Sequence, residues 1–243
     1  MAEQQAGSTD GRDETGEVPP WALASQRPRV PSPWPDFDRI VGLYEGKLVG
    51  LGTFKGRREA AAGLELAIHA AANGHSTVLF APDLPHRNPV PRLRVDHSPE
   101  LTPARIRSVV DGMASRREPA QLVVVDHFGL LQRDPQPVAY DDYDQWDDDE
   151  PDIDLAEQEA GEIARELKHL AKDHHVPIVV MAHLIGAFDR TTPLDLDRLG
   201  IAAVLEYDAD AVLLLRRTDA TQVSVHVAKD RSGPAPLDTA MAW

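Results

Sequence analysis

The chain has no cysteine, which excludes a disulfide framework and any thiolate metal site, and suits a reducing cytosol. It also lacks any apolar run approaching the roughly 20 residues needed to cross a bilayer, and its first residues are polar and acidic where a secretory signal would be apolar. The expectation is a cytoplasmic protein without membrane contact. Basic residues are in short supply, with 25 Lys and Arg against 40 Asp and Glu, for a formal net charge of −15. That balance excludes broad, nonspecific attraction to nucleic acid, which depends on Lys and Arg neutralising phosphates and releasing counterions. What is present is apolar substance, 42% of 243 residues, enough for one substantial core.

Residues 1–35 are rich in Gly, Ser, Pro, Gln, Asp and Glu and show no apolar periodicity, a composition that cannot offset the entropy of ordering. They read as a disordered arm, with Trp21 and Trp34 given no function. From residue 36 to 243, short aliphatic runs alternate with helical runs, the pattern of a mostly parallel sheet with helices on its faces. Strands are predicted at Lys47–Leu51, Thr77–Phe80, Leu93–Val95, Leu122–Asp126, Ile178–Ala182, Ala211–Leu215 and Val223–Ala228, and near Thr239. Helices are predicted at Arg57–Asn73, at Ala104–Ser115 after the start signal Thr102-Pro103, and at Leu155–Asp173, whose Ile163, Leu167 and Leu170 have the spacing of one apolar face.

Between the first of these strands and the alanine-rich helix the chain reads Gly52-Thr-Phe-Lys-Gly-Arg-Arg-Glu59. A glycine-containing turn between a strand and a helix N-terminus is where backbone N–H groups cradle phosphates. A lysine there reaches the terminal ones, and a Ser or Thr hydroxyl holds Mg²⁺. Gly52, Thr53, Lys55 and Gly56 fit the turn. Arg57 stands at the lysine position and Arg58 at the hydroxyl position, which removes the Mg²⁺ ligand and puts a cation near its place. Guanidinium binds phosphate as a planar fork rather than as a compact ammonium, so the exchange is not conservative. Farther on, Leu122-Val-Val-Val-Asp126 is an apolar strand delivering a carboxylate to the carboxyl edge of the sheet, the form of a Walker B element. Asp83 and His183 follow or end neighbouring strands and are expected at the same edge.

The chain from Phe37 to its last residue resembles the RecA-like ATPase domain of DnaB-type replicative helicases. The resemblance rests on Phe37-Asp-Arg-Ile-Val-Gly-Leu-Tyr-Glu-Gly-Lys-Leu, on Leu101-Thr-Pro-Ala-Arg-Ile-Arg and on Val123-Val-Val-Asp-His-Phe-Gly-Leu-Leu. It continues through Glu162-Ile-Ala-Arg-Glu-Leu-Lys-His-Leu-Ala-Lys with Val176-Pro-Ile-Val-Val. Its most specific pieces are Glu206-Tyr-Asp-Ala-Asp-Ala-Val-Leu-Leu-Leu and Ala228-Lys-Asp-Arg-Ser-Gly-Pro. It implies an ATP site with Mg²⁺ positioned by Asp126. It sets His183 where the family has a γ-phosphate-sensing glutamine, and Asp83, one methylene short, where the family has its catalytic glutamate. Lys229 and Arg231 match a basic pair that reaches the γ-phosphate of a neighbouring subunit, which implies a homo-oligomeric ring or contact with another helicase-like subunit.

Two departures bear on activity. The altered loop and the shortened base should cost several orders of magnitude in ATP hydrolysis, since phosphoryl transfer rests on positioning and charge stabilisation. Residues 134–155 form an acidic stretch with nine carboxylates between Asp141 and Asp154 and no Lys or Arg. The stretch falls where the family faces DNA, and it would repel a phosphate backbone. Three readings follow: a DnaB-type helicase or its remnant, with ATP weakly bound or lost; a non-enzymatic RecA-like module acting on a partner protein; and a working ATPase with an arginine loop that serves signalling.

Overall fold

The computed structural model describes residues 29–56, 61–84, 90–135, 153–186, 188 and 192–243. The order of elements is β1 (Arg29–Val30), α1 (Pro35–Ile40), β2 (Leu43–Tyr44), β3 (Leu48–Phe54), α2 (Ala62–Ala72), β4 (Thr77–Phe80), β5 (Leu93–Asp96), α3 (Pro103–Ser115) and β6 (Leu122–Val125). There follow α4 (Ile153–Asp173), β7 (Ile178–Leu184), a 3-10 segment Leu196–Val204, α5 (Leu205–Asp208), β8 (Ala211–Arg217), β9 (Gln222–Asp230) and β10 (Leu237–Ala242).

Eight strands make one sheet in the order β10-β9-β8-β3-β7-β6-β4-β5. The six from β8 to β5 are parallel, and β9 and β10 add an antiparallel flank. Strands buried on both faces read as continuous apolar runs, and Leu122-Val-Val-Val125 and Ile178-Val-Val-Met181 are such runs, each residue 1% exposed or less. α3 and α4 cover one face through Ile106, Val110, Ile163, Leu167 and Leu170. On the other face α2 packs Leu66, Ala67 and Ala70 beside Trp34 and Phe37. The start of α3 follows from its sequence: Thr102 accepts the Arg105 N–H through its hydroxyl at 3.2 Å, with Pro103 opening the helix.

Three boundaries differ from the sequence reading. The expected arm folds from Arg29 onward: β1 pairs antiparallel with β2, and Trp34 is 3% exposed. Its ring lies 4.6 Å from that of Trp243 and 6.2 Å from that of Phe37. Asp36 adds a bond from the Ala242 N–H at 3.2 Å. A tryptophan covered by a residue more than two hundred positions away leaves no local pattern to read. Second, β3 continues to Phe54 where an end at Leu51 was expected, because pairing with both β7 and β8 extends through Thr53. Third, α4 begins at Ile153, inside the acidic stretch. Residues 1–28, with Trp21, and most of that stretch, 136–152, lie outside the described residues. Among the described residues no helix is long and apolar enough to cross a membrane.

Candidate functional site

The carboxyl edge of the parallel strands brings Lys55, Asp83, Asp126 and His183 together. Asp126 follows β6 and is tied to the neighbouring strand by its own N–H, which donates to Phe80 O at 2.8 Å; the Asp126–His127 peptide is cis. Asp83 stands three residues beyond the end of β4. His183 lies within β7, level with Thr53 of β3, and Lys55 is exposed in the turn after β3. Gly56 in the same turn has φ of +72° and nothing within 4 Å of where a Cβ would sit, so its freedom serves the turn and leaves the space above it open.

The electrostatics tie the group into one site. Burial raises the Asp126 carboxyl to about 6, and the Asp83 carboxylate adds to the shift. Two acids so placed form a pair that a cation would stabilise. His127, which the sequence reading passed over, lies against His183 with ring centroids 4.0 Å apart. Its Nδ1 accepts the Gly129 N–H at 3.2 Å, which fixes the ring at the start of a short 3-10 turn, Phe128–Leu130. Burial lowers His127 to about 4, with His183 and Lys55 lowering it further and Asp83 opposing them. Burial and then Lys55 lower His183 as well. The signal that marks His127 is its place directly after the strand-ending acid.

Other expected residues sit elsewhere. Gly52 and Thr53 are inside β3, not in the turn. A Cβ at Gly52 would come within 2.9 Å of Leu184, Leu199 and Leu214 alike, so this glycine serves packing. Thr53 is 1% exposed, which withdraws its hydroxyl from any ligand. Arg57 and Arg58 lie outside the described residues. Lys229 and Arg231 are on the antiparallel flank. Lys229 is level with Val212, itself level with Gly50, and β9 stands four strands from β6, about 19 Å at the usual strand spacing. Both side chains cap the C-terminal carbonyls of α5: Lys229 donates to Glu206 O and Tyr207 O, and Arg231 to Tyr207 O at 3.0 Å. Arg231 also approaches Asp210 at 3.6 Å.

A parallel sheet with an acid-ended central strand and a strand–turn–helix beside it defines a RecA-like ATPase fold. The DnaB-like helicase C terminal domain family matches residues 86–241, and the chain belongs to that family. It is 30% identical over 158 residues to the replicative DNA helicase DnaB of Mycobacterium intracellulare, an alignment covering 60% of this chain and 24% of that protein. To the DnaB of Mycobacterium leprae (strain TN) it is 29% identical over 158 residues, covering 60% and 23%. The chain thus spans about a quarter of the length of these relatives. Among solved structures it is similar to a DnaB-like replicative helicase described with its interactions with primase, at TM-score 0.66 and 17% identity over 88% of this chain and 61% of that one. It is equally similar to a second solved structure, an ATPase domain on its own, at TM-score 0.66 and 17% identity over 88% and 87%.

Proposed function

We propose that this protein is a DnaB-related RecA-like subunit that binds nucleotide weakly, hydrolyses ATP slowly or not at all, and acts through contact with another helicase-like subunit in replication. The observation that carries the reading is the composition of the turn. β3 ends at Phe54 and α2 begins at Ala62, and the connecting residues, Lys-Gly-Arg-Arg-Glu-Ala-Ala, contain no hydroxyl. The nearest one, on Thr53, is buried. Half of an ATP·Mg²⁺ site is therefore supported. Asp126 and Asp83 offer hard carboxylate oxygens that fit Mg²⁺ or its waters, and bound Mg²⁺ would offset phosphate charge there. Lys55 would hold phosphate at the mouth of the turn. The half that clamps the metal between phosphate and protein is missing.

Contact with a second subunit is supported by Lys229 and Arg231. At about four strand spacings from Asp126, they cannot serve their own chain's phosphate site, whereas an exposed pair on the flank suits a neighbour's. The partner is a second copy of this chain or a related active subunit. Threading of single-stranded DNA is disfavoured by the nine carboxylates between Asp141 and Asp154.

Isothermal titration with Mg²⁺-ATP, paired with a phosphate-release assay with and without single-stranded DNA, tests the proposal. Weak, largely metal-independent binding and no stimulated turnover are expected. Tight, Mg²⁺-dependent binding with DNA-stimulated hydrolysis abolished by Asp126→Asn would overturn it.

A further inference from the structure

At the amino-terminal edge of the sheet, the turn before β3, the end of α4 and the start of β8 enclose an open cavity of about 790 Å³, a size typical of small-molecule sites. It is separated from the Asp126 group by the length of β3, seven residues or about 23 Å. Two lysines line it, Lys47 at 7% exposure and Lys168 at 6%, and lysine is almost never so buried unless paired. Lys168 is paired: its ammonium donates to Gly46 O at 2.7 Å and to Asp210 at 2.5 Å.

Lys47 is less well provided for. Among the described residues it donates one hydrogen bond, to Val41 O at 2.6 Å, although an ammonium carries three donors. Burial, then the Lys168 charge, works against its protonated form, while Asp230 and Asp210 work for it. Asp210 is shared, since it also accepts the Leu48 N–H at 2.8 Å and lies 3.6 Å from Arg231. Exposed Lys172 stands on the rim with Arg39, which is paired to Asp36. These four cations face three carboxylates, Glu45, Asp210 and Asp230, which leaves an excess of one positive charge in a chain whose net charge is −15. Ile40 and Tyr44 supply an apolar wall.

We propose that this cavity binds a small anion bearing phosphate or carboxylate groups, its charged end taking the remaining donors of Lys47 together with Lys172 and its remainder lying along Ile40 and Tyr44. Such an occupant would complete the hydrogen bonding of a buried ammonium, which neither Asp210 nor Asp230 does.

The test is isothermal titration with inorganic tripolyphosphate in about 0.15 M salt, where attraction between exposed charges is screened over about 8 Å. Binding is expected, weakened about tenfold or more by Lys172→Glu, the loss of one charge-assisted contact, and retained when Lys55→Glu and Arg57→Glu disarm the opposite edge. Lys47→Met should abolish it in a protein that keeps its circular dichroism spectrum; should Lys47→Met fail to fold, Lys172→Glu decides. The proposal is overturned if nothing binds at this salt, if Lys172→Glu binds as the wild type does, or if only the Lys55/Arg57 variant loses binding.

Discussion

His127 rests against His183 with ring centroids 4.0 Å apart, and beside this pair Asp126 holds the opposite kind of shift, so one small site contains an acid that resists ionising and a base that resists protonation. Asp126 titrates near 6 in the fold against an ordinary 3.8. The folded chain therefore keeps a proton that the unfolded chain has shed, a contribution that is fully present below 3.8 and lost as pH rises through about 6. His127 titrates near 4 against an ordinary 6.5. The unfolded chain takes that proton first, so its contribution is present above 6.5 and lost as pH falls through about 4. Between about 4 and 6 the two slopes oppose. Relative to wild type, Asp126→Asn should lose stability as pH falls from 6.5 to 4, and His127→Gln should gain it from 6 to 4. Urea midpoints of the three proteins across this range would decide, and parallel profiles would show that the shifts are absent.

The glycines allow a sharper test of packing. Gly52→Ala drives a methyl group against three leucines at 2.9 Å, and overpacking of this kind costs about 1–3 kcal/mol. Gly112 lies within α3 with nothing within 4 Å of the added atom, so Gly112→Ala should stabilise by about 0.5–1 kcal/mol through helix propensity. Thermal melts of both variants check the opposite signs. A harmless Gly52→Ala would mean that β3 does not lie against Leu199 as described.

Lys168 and Asp210 form a nearly buried pair at 2.5 Å, with side chains 8% and 16% exposed. Removing one partner strands the other's charge, so Lys168→Met or Asp210→Ala should each cost about 3–5 kcal/mol. The double variant should cost clearly less than the sum, because neither charge is then left alone. Additive costs from denaturant titrations would show that the pair is not coupled.

Restoring the turn with Arg57→Lys and Arg58→Thr should tighten Mg²⁺-ATP binding by about tenfold or more, as expected for a regained charge-assisted contact and metal ligand. No gain would mean that the defect extends beyond the turn.

Much of the sheet was readable because parallel strands buried on both faces announce themselves as aliphatic runs: Thr77–Phe80 appears with the predicted limits, and Leu122–Val125 and Ile178–Leu184 begin where expected. The clustering of Asp83, Asp126 and His183 was readable for the same reason, since parallel strands deliver their last residues to one edge. Gly52 and Thr53 were not, because a glycine demanded by three leucines from other elements looks in sequence like a glycine demanded by a turn. Trp34 and the Lys47 and Lys168 ammoniums were hidden likewise. Their partners Trp243 and Asp210 come from remote positions, and local composition carries no trace of a contact made only on folding.

The stacking of Trp34 on Trp243 has a consequence for how the module can be handled. The beginning and end of the folded body meet at one corner, so a short bridge could join them and a new opening could be cut in an exposed turn elsewhere, such as the one between β8 and β9. A circular permutant made in this way should keep the sheet and both of its opposed edges. The same closeness means that whatever is attached at either end of the body emerges from a single corner and leaves those two edges unobstructed.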